Sequence, residues 1–153
     1  MDLILWRHAE AEDAAAGGDD LRRALTTRGE QQAERMAEWL DHRLARSTRI
    51  LVSPALRCQQ TAKALGRKFR TVEAVGPGAS VEALLVAAGW PDASEPVLVI
   101  GHQPTLGLAA SLLLIGAETP LTVKKAAVWW LRHRPRVDDG GVVLQAVQSP
   151  DFL

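Results

Sequence analysis

The sequence predicts a single α/β domain spanning residues 1–153, with a mainly parallel central sheet and helices on both faces. Three observations predict it. The short runs Leu3–Trp6, Ile50–Val52 and Val97–Ile100 are apolar without alternation, as strands covered on both faces are. Between and after them lie segments whose apolar residues recur at helical spacing. The chain has 153 residues, a one-domain length at which roughly 70% of the unfolded surface is buried on folding.

Taken in order, Leu3–Trp6 is the first strand. Ala9–Arg23, rich in Ala, Gly and Asp, is a loop with room for a short helical turn. Thr27-Arg-Gly-Glu30 has the spacing of a capping box, and Ala33, Met36, Ala37, Leu40 and Leu44 continue it as an amphipathic helix. Ile50–Val52 is a second strand ending in Ser53-Pro54. Serine at the N-cap and proline at the first helical position predict a helix from there to about Lys68. Thr71–Val75 reads as an edge strand, and Ser80–Ala88 as a helix stopped by Gly89. Val97–Ile100 is a third buried strand, followed by a helix from about Pro104 to Ile115 that Gly116 ends. Ala126–Leu131 and Val142–Val147 close the chain as two strands, with Arg136-Val-Asp-Asp-Gly-Gly141 turning between them. The chain shows no repeat, low-complexity tract or linker.

The bulk numbers exclude several classes. Composition is 47% hydrophobic and 24% charged, and eighteen basic residues balance eighteen acidic ones. No net field points towards nucleic acid or an anionic membrane, so neither is expected as a partner. One cysteine, Cys58, cannot form an internal disulfide and suits a reducing compartment. Asp2 stands where a signal peptide would be basic, and the longest apolar stretch, Leu106–Ala117, is shorter than the roughly 20 residues a membrane span needs. A soluble cytoplasmic domain is expected, acting as a monomer.

The strand ends are unusual. In an open α/β sheet, ligands bind outside the carboxyl ends of the strands. The first strand ends in Arg7-His8, the second in Ser53-Pro54 with Arg57 one helical turn on, and the third in Gly101-His102. Turn formers such as Gly, Asn or Ser are the ordinary choice there. Two arginines and two histidines at one sheet edge are suited to an anion. With Ser53 as N-cap, Arg57 falls in the fourth helical position, where a cation opposes the helix dipole by about 0.3–1 kcal/mol unless an anion lies between them. Each residue alone has a plainer role: a structural histidine, an ion pair of Arg7 with Glu10 or an aspartate of the following loop, a solvated Arg57. Their meeting on one edge favours the functional reading, with phosphate as the anion.

These residues also resemble a family. "LILWRHAEA", "LVSPALRCQQTA" and "VLVIGHQPTL" are similar to the three motifs of the histidine phosphatase superfamily, and "ALTTRGEQQAERMAEWL" to its Leu-Thr-x-x-Gly segment and first helix. The short chain and the small gap between Arg57 and His102 resemble the SixA-like branch of compact phosphohistidine phosphatases. The resemblance implies a phosphoglycerate mutase-like fold without a large insert. It implies that His8 is the phosphorylated nucleophile, while Arg7, Arg57 and His102 bind phosphoryl oxygens and stabilise the transition state. It implies no cofactor and no metal. The expected substrate is phosphohistidine in a phosphorylated protein; a small phosphorylated substrate, as for a phosphomonoesterase, is the alternative. The glycine common after Arg-His is Ala9 here, which suggests a backbone without positive φ. The carboxylate general acid of larger members has no clear counterpart; Glu10, Glu73 and Glu82 are the candidates.

The chemistry is self-consistent. A neutral imidazole splits phosphoryl transfer into two displacements, and guanidinium forks match phosphate oxygens. A phosphohistidine needs less help from an acid than an alkyl ester does, so the missing acid favours the labile donor. Two rivals remain from other classes. A metal-dependent hydrolase would use His8, Glu10 and His102, but lacks zinc-ligand spacing. A non-catalytic module would bind phospho-ligands through the same pocket. Cys58, His42 and His133 read as structural or surface residues, and Trp39, Trp129 and Trp130 as core or sheet-face residues. The five basic side chains between Pro54 and Val72 read as a solvated face.

Overall fold

The computed structural model describes residues 1–135 and 141–153. The predicted turn at 136–140 lies outside the described residues. Six strands form one sheet: β1 (Asp2–Arg7), β2 (Arg49–Val52), β3 (Arg70–Thr71), β4 (Val97–Gly101), β5 (Val128–Arg134) and β6 (Gly141–Gln148). Their spatial order is β3-β2-β4-β1-β5-β6. The pairs from β3 to β1 are parallel, while β5 runs antiparallel to β1 and β6 antiparallel to β5. The sheet is thus mixed and mostly parallel.

Helices cover both faces because β1 is apolar at every turn of the pleat. Ile4 and Trp6 pack with α1 (Thr27–Asp41) and α2 (Leu56–Leu65) on one side. Leu3 and Leu5 pack with α3 (Val81–Ala88) and α4 (Thr105–Ile115) on the other. Among the described residues, no helix is long and apolar enough to cross a membrane.

Several local expectations shift. The cap of α1 is Thr26, whose hydroxyl accepts from Gly29 N, one residue before the predicted box. A side chain on Gly29 would overlap the Glu10 carbonyl, so this helix start needs glycine to seat against the β1 exit loop. The predicted edge strand shrinks to Arg70–Thr71 and gives way to a 3-10 turn at Glu73–Val75. Helix α2 stops at Leu65, short of Lys68, because Gly66 takes a left-handed cap at φ 69°. It also starts late. Its N-cap is Ala55, with no side-chain cap, so Arg57 is the second helical residue rather than the fourth. Ser53, predicted as the cap, turns its hydroxyl elsewhere.

Candidate active site

The strand order makes the three unusual strand ends neighbours. β4 lies between β1 and β2, with Arg7 opposite Gly101 and Val52 opposite Ile100. The ladder continues past the strands: His8 N donates to Gly101 O at 3.2 Å and Ser53 N to Ile100 O at 3.1 Å. Arg7, His8, Arg57 and His102 consequently share one pocket of about 210 Å³, also lined by Ala11, Asp13, Arg23, Gln103 and Lys125.

His8 is held by backbone. Its carbonyl accepts from Ala126 N at 3.1 Å, and its Nδ1 bonds the Ala9 carbonyl at 2.8 Å. A carbonyl only accepts, so Nδ1 carries the hydrogen and Nε2 the lone pair. Ala9 has no positive φ, as the sequence suggested, and its N–H donates to Thr61 Oγ1 at 3.1 Å. Burial, with lesser pushes from His102, Arg57 and Arg7, drives the His8 pKa from 6.5 down to about 3 against the Ala9 hydrogen bond. The ring is neutral at neutral pH.

His102 is held by side chains. Its Nε2 lies 2.7 Å from Ser53 Oγ and 3.5 Å from Cys58 Sγ, and its Nδ1 lies 3.3 Å from Arg57 Nη2. Burial, then Arg57, lowers its pKa to about 4. The two imidazoles stand with centroids 5.3 Å apart. Cys58 is buried as expected, yet it forms the floor under His102, and burial pushes its thiol up to about 12.

The arginines carry the electrostatics. Arg57 is only 3% exposed, so its charge must be met inside the protein. Its Nη1 donates to Asp20 O at 2.8 Å and its Nη2 to Asp20 Oδ2 at 3.1 Å. Arg7 does not pair with Glu10; its Nη1 donates to Val123 O at 3.0 Å. Among the described residues, three buried side-chain atoms lack a hydrogen-bond partner: Arg7 Nε, Arg57 Nε and Thr48 Oγ1. Two of the three are on side chains that line this pocket, though the atoms themselves are closed off from it.

The acid candidates are elsewhere. Glu10 accepts from Thr26 Oγ1 at 2.9 Å and faces Arg28 at 3.8 Å, at the start of α1. Glu73 and Glu82 are exposed, and none of the three lines the pocket. With Glu10 turned away, the His8–Glu10–His102 metal set does not form. The acidic lining residue is Asp13, which the sequence reading passed over with Asp20, Arg23 and Lys125 because they lie in irregular segments without periodicity. Asp20 and Arg23 carry one usable signal, an i, i+3 pair closed at 2.9 Å. His133, expected at the surface, is half-buried with its ring edge against Trp90.

Comparisons with known proteins identify the family. Residues 3–76 match the model of the histidine phosphatase superfamily, branch 1. An uncharacterized protein of Picosynechococcus is 35% identical over 86% of this chain and 85% of its own. Phosphohistidine phosphatase SixA of Escherichia coli is 31% identical, covering 82% of each chain. The chain belongs to the histidine phosphatase superfamily. The solved structure of a SixA protein histidine phosphatase complexed with tungstate superposes with a TM-score of 0.79 at 28% identity, covering 99% of both chains. The family's phosphoglycerate mutase-like fold and phosphatase chemistry are therefore those of this chain.

Proposed function

We propose that this chain is a metal-independent phosphohistidine phosphatase acting on a phosphorylated protein, with His8 as nucleophile. The observation that carries the reading is one pocket lined by two guanidiniums, those of half-buried Arg7 and buried Arg57, together with two imidazoles that burial keeps neutral. Phosphoryl oxygens are the acceptors that match a guanidinium edge. The tungstate bound by the SixA relative is a tetrahedral oxyanion of the same kind.

In this mechanism the Nε2 lone pair of His8 attacks phosphorus in line. The bond to the leaving imidazole breaks, and that nitrogen takes a proton from solvent. Water then attacks phospho-His8, restoring the imidazole and releasing inorganic phosphate. Arg7, Arg57 and His102 bind the phosphoryl oxygens while charge redistributes. Asp13 is an exposed residue at the pocket lining, and a phosphohistidine donor needs little acid help from it. The chain acts as one domain, 1–153, and as a monomer in the cytoplasm.

The test is a substrate panel on chelator-treated protein. A phosphohistidine-bearing protein should turn over at least a hundredfold faster, by kcat/KM, than alkyl phosphate esters. Equal or faster hydrolysis of small esters would instead favour the phosphomonoesterase. Binding without turnover of anything would leave a phospho-ligand module.

A further inference from the structure

The two ring nitrogens of His102 have opposite surroundings. Nδ1 is the nitrogen beside Arg57 Nη2, at 3.3 Å. A guanidinium can only donate, so Nδ1 holds a lone pair and Nε2 holds the hydrogen. Nε2–H therefore donates to Ser53 Oγ at 2.7 Å. Ser53 is fully buried, and its hydroxyl oxygen also accepts from Ala55 N at 3.2 Å. This is what the hydroxyl does instead of capping α2.

A lone pair at Nδ1 repels an oxyanion rather than binding it. We propose that Ser53 is a positioning residue that fixes this tautomer, so that His102 donates to a bound oxyanion only after Nδ1 has taken a proton from solvent. The inference rests on the oxyanion reading of the pocket and adds a proton to it.

The charged groups around the pocket bear on that proton, Asp13 of the loop and Lys125 before β5 lining it with His102. Arg57 of α2, Arg7 of β1 and Arg23 of the loop oppose it, and Asp20 of the same loop favours it. His8, 5.3 Å away, is neutral, and the Cys58 thiol below stays protonated. With only these groups present the ring is uncharged at neutral pH. An anion at Nδ1 reverses the balance, because a charged N–H bonded to an anion is about twice as strong as a neutral one. The competing arrangement turns the Ser53 hydroxyl onto Nε2 and leaves Nδ1–H neutral, with no proton taken up.

Tungstate titration calorimetry distinguishes them, since this anion keeps its charge across pH 7–8.5. Run in buffers of different ionisation enthalpy, it should show uptake of about one proton and roughly tenfold weaker binding per pH unit. Ser53→Thr should preserve both. Ser53→Ala should lose most of the uptake and flatten the slope, whereas a purely structural defect would weaken binding at unchanged slope. His102→Gln should abolish uptake and His8→Gln should keep it. Binding without uptake in the wild type, or uptake persisting in His102→Gln, overturns this inference and leaves the oxyanion site standing. Full uptake in Ser53→Ala removes the role of Ser53. No tungstate binding at all overturns the oxyanion reading and this inference with it.

Discussion

The exits of β1 and β4 lie side by side and both end on a histidine, yet they hold it by different means. His8 is tied to main-chain groups of Ala9, Gly101 and Ala126, and so presents Nε2. His102 is tied to the side chains of Ser53, Arg57 and Cys58, and its Nδ1 is the nitrogen beside Arg57. Backbone support cannot be mutated away, so it suits a nitrogen that must always be unprotonated. Side-chain support can be tuned, which suits a nitrogen whose protonation changes with the ligand.

The comparison breaks most sharply at His8. His8→Ala removes the attacking atom, so turnover should vanish. Rapid quenching of the wild type should trap a phosphate that is acid-labile and alkali-stable, as a phosphoramidate is. Label on His102, or near-normal turnover of His8→Ala, would falsify the division of roles. Next in size are Arg57→Ala and His102→Ala, each expected to lower turnover by on the order of 10²–10³ while leaving the His8 label detectable.

Much of this contrast was legible in the sequence, and the illegible part has a physical cause. Apolar runs and strand-end residues located β1, β2, β4 and the four pocket side chains, because burial on both faces leaves a pattern and charge at a strand end violates one. Ser53 was misassigned because Ser-Pro is an ordinary helix start, and only the neighbouring strand β4 shows where its hydroxyl goes. The Asp20–Arg57 contact was invisible, since the two are 37 residues apart and no local rule links them. The sequence also left His8 at its ordinary pKa, because desolvation is a property of the packed site.

That desolvation predicts an acid response. Both rings fall from 6.5, His8 to about 3 and His102 to about 4, with burial the largest cause. The unfolded chain regains the ordinary value and binds more protons between about pH 6.5 and pH 4. Stability from these two rings should be level between about pH 7 and 8 and fall as pH drops through that window, by on the order of a few kcal/mol at pH 4. Urea midpoints against pH should show the loss, and His8→Gln and His102→Gln should each remove part of it. A flat profile from pH 7 to 4 in the wild type would mean that the rings are not buried neutral.

Smaller effects sharpen the boundary of the site. Glu10→Gln, Glu73→Gln and Glu82→Gln should each leave kcat/KM within about twofold, because none lines the pocket. A tenfold loss in any of them would reinstate that carboxylate as an acid.

The smallest effect is expected at Cys58, and its smallness is informative. The sulfur lies 3.5 Å from His102 Nε2 and 3.8 Å from Gly101 O, fully buried, with its pKa pushed up to about 12. At pH 8 the native thiol should resist iodoacetamide, and urea should expose it to rapid alkylation. Cys58→Ala leaves the Ser53–His102 bond in place and removes one packed atom, so about 1 kcal/mol of stability and at most a threefold change in turnover are expected. Ser53→Ala deletes a comparable volume from the same floor but takes away the acceptor of Nε2–H. A Cys58→Ala variant as impaired as Ser53→Ala would mean that packing under the ring, rather than its hydrogen bond, sets the orientation of His102.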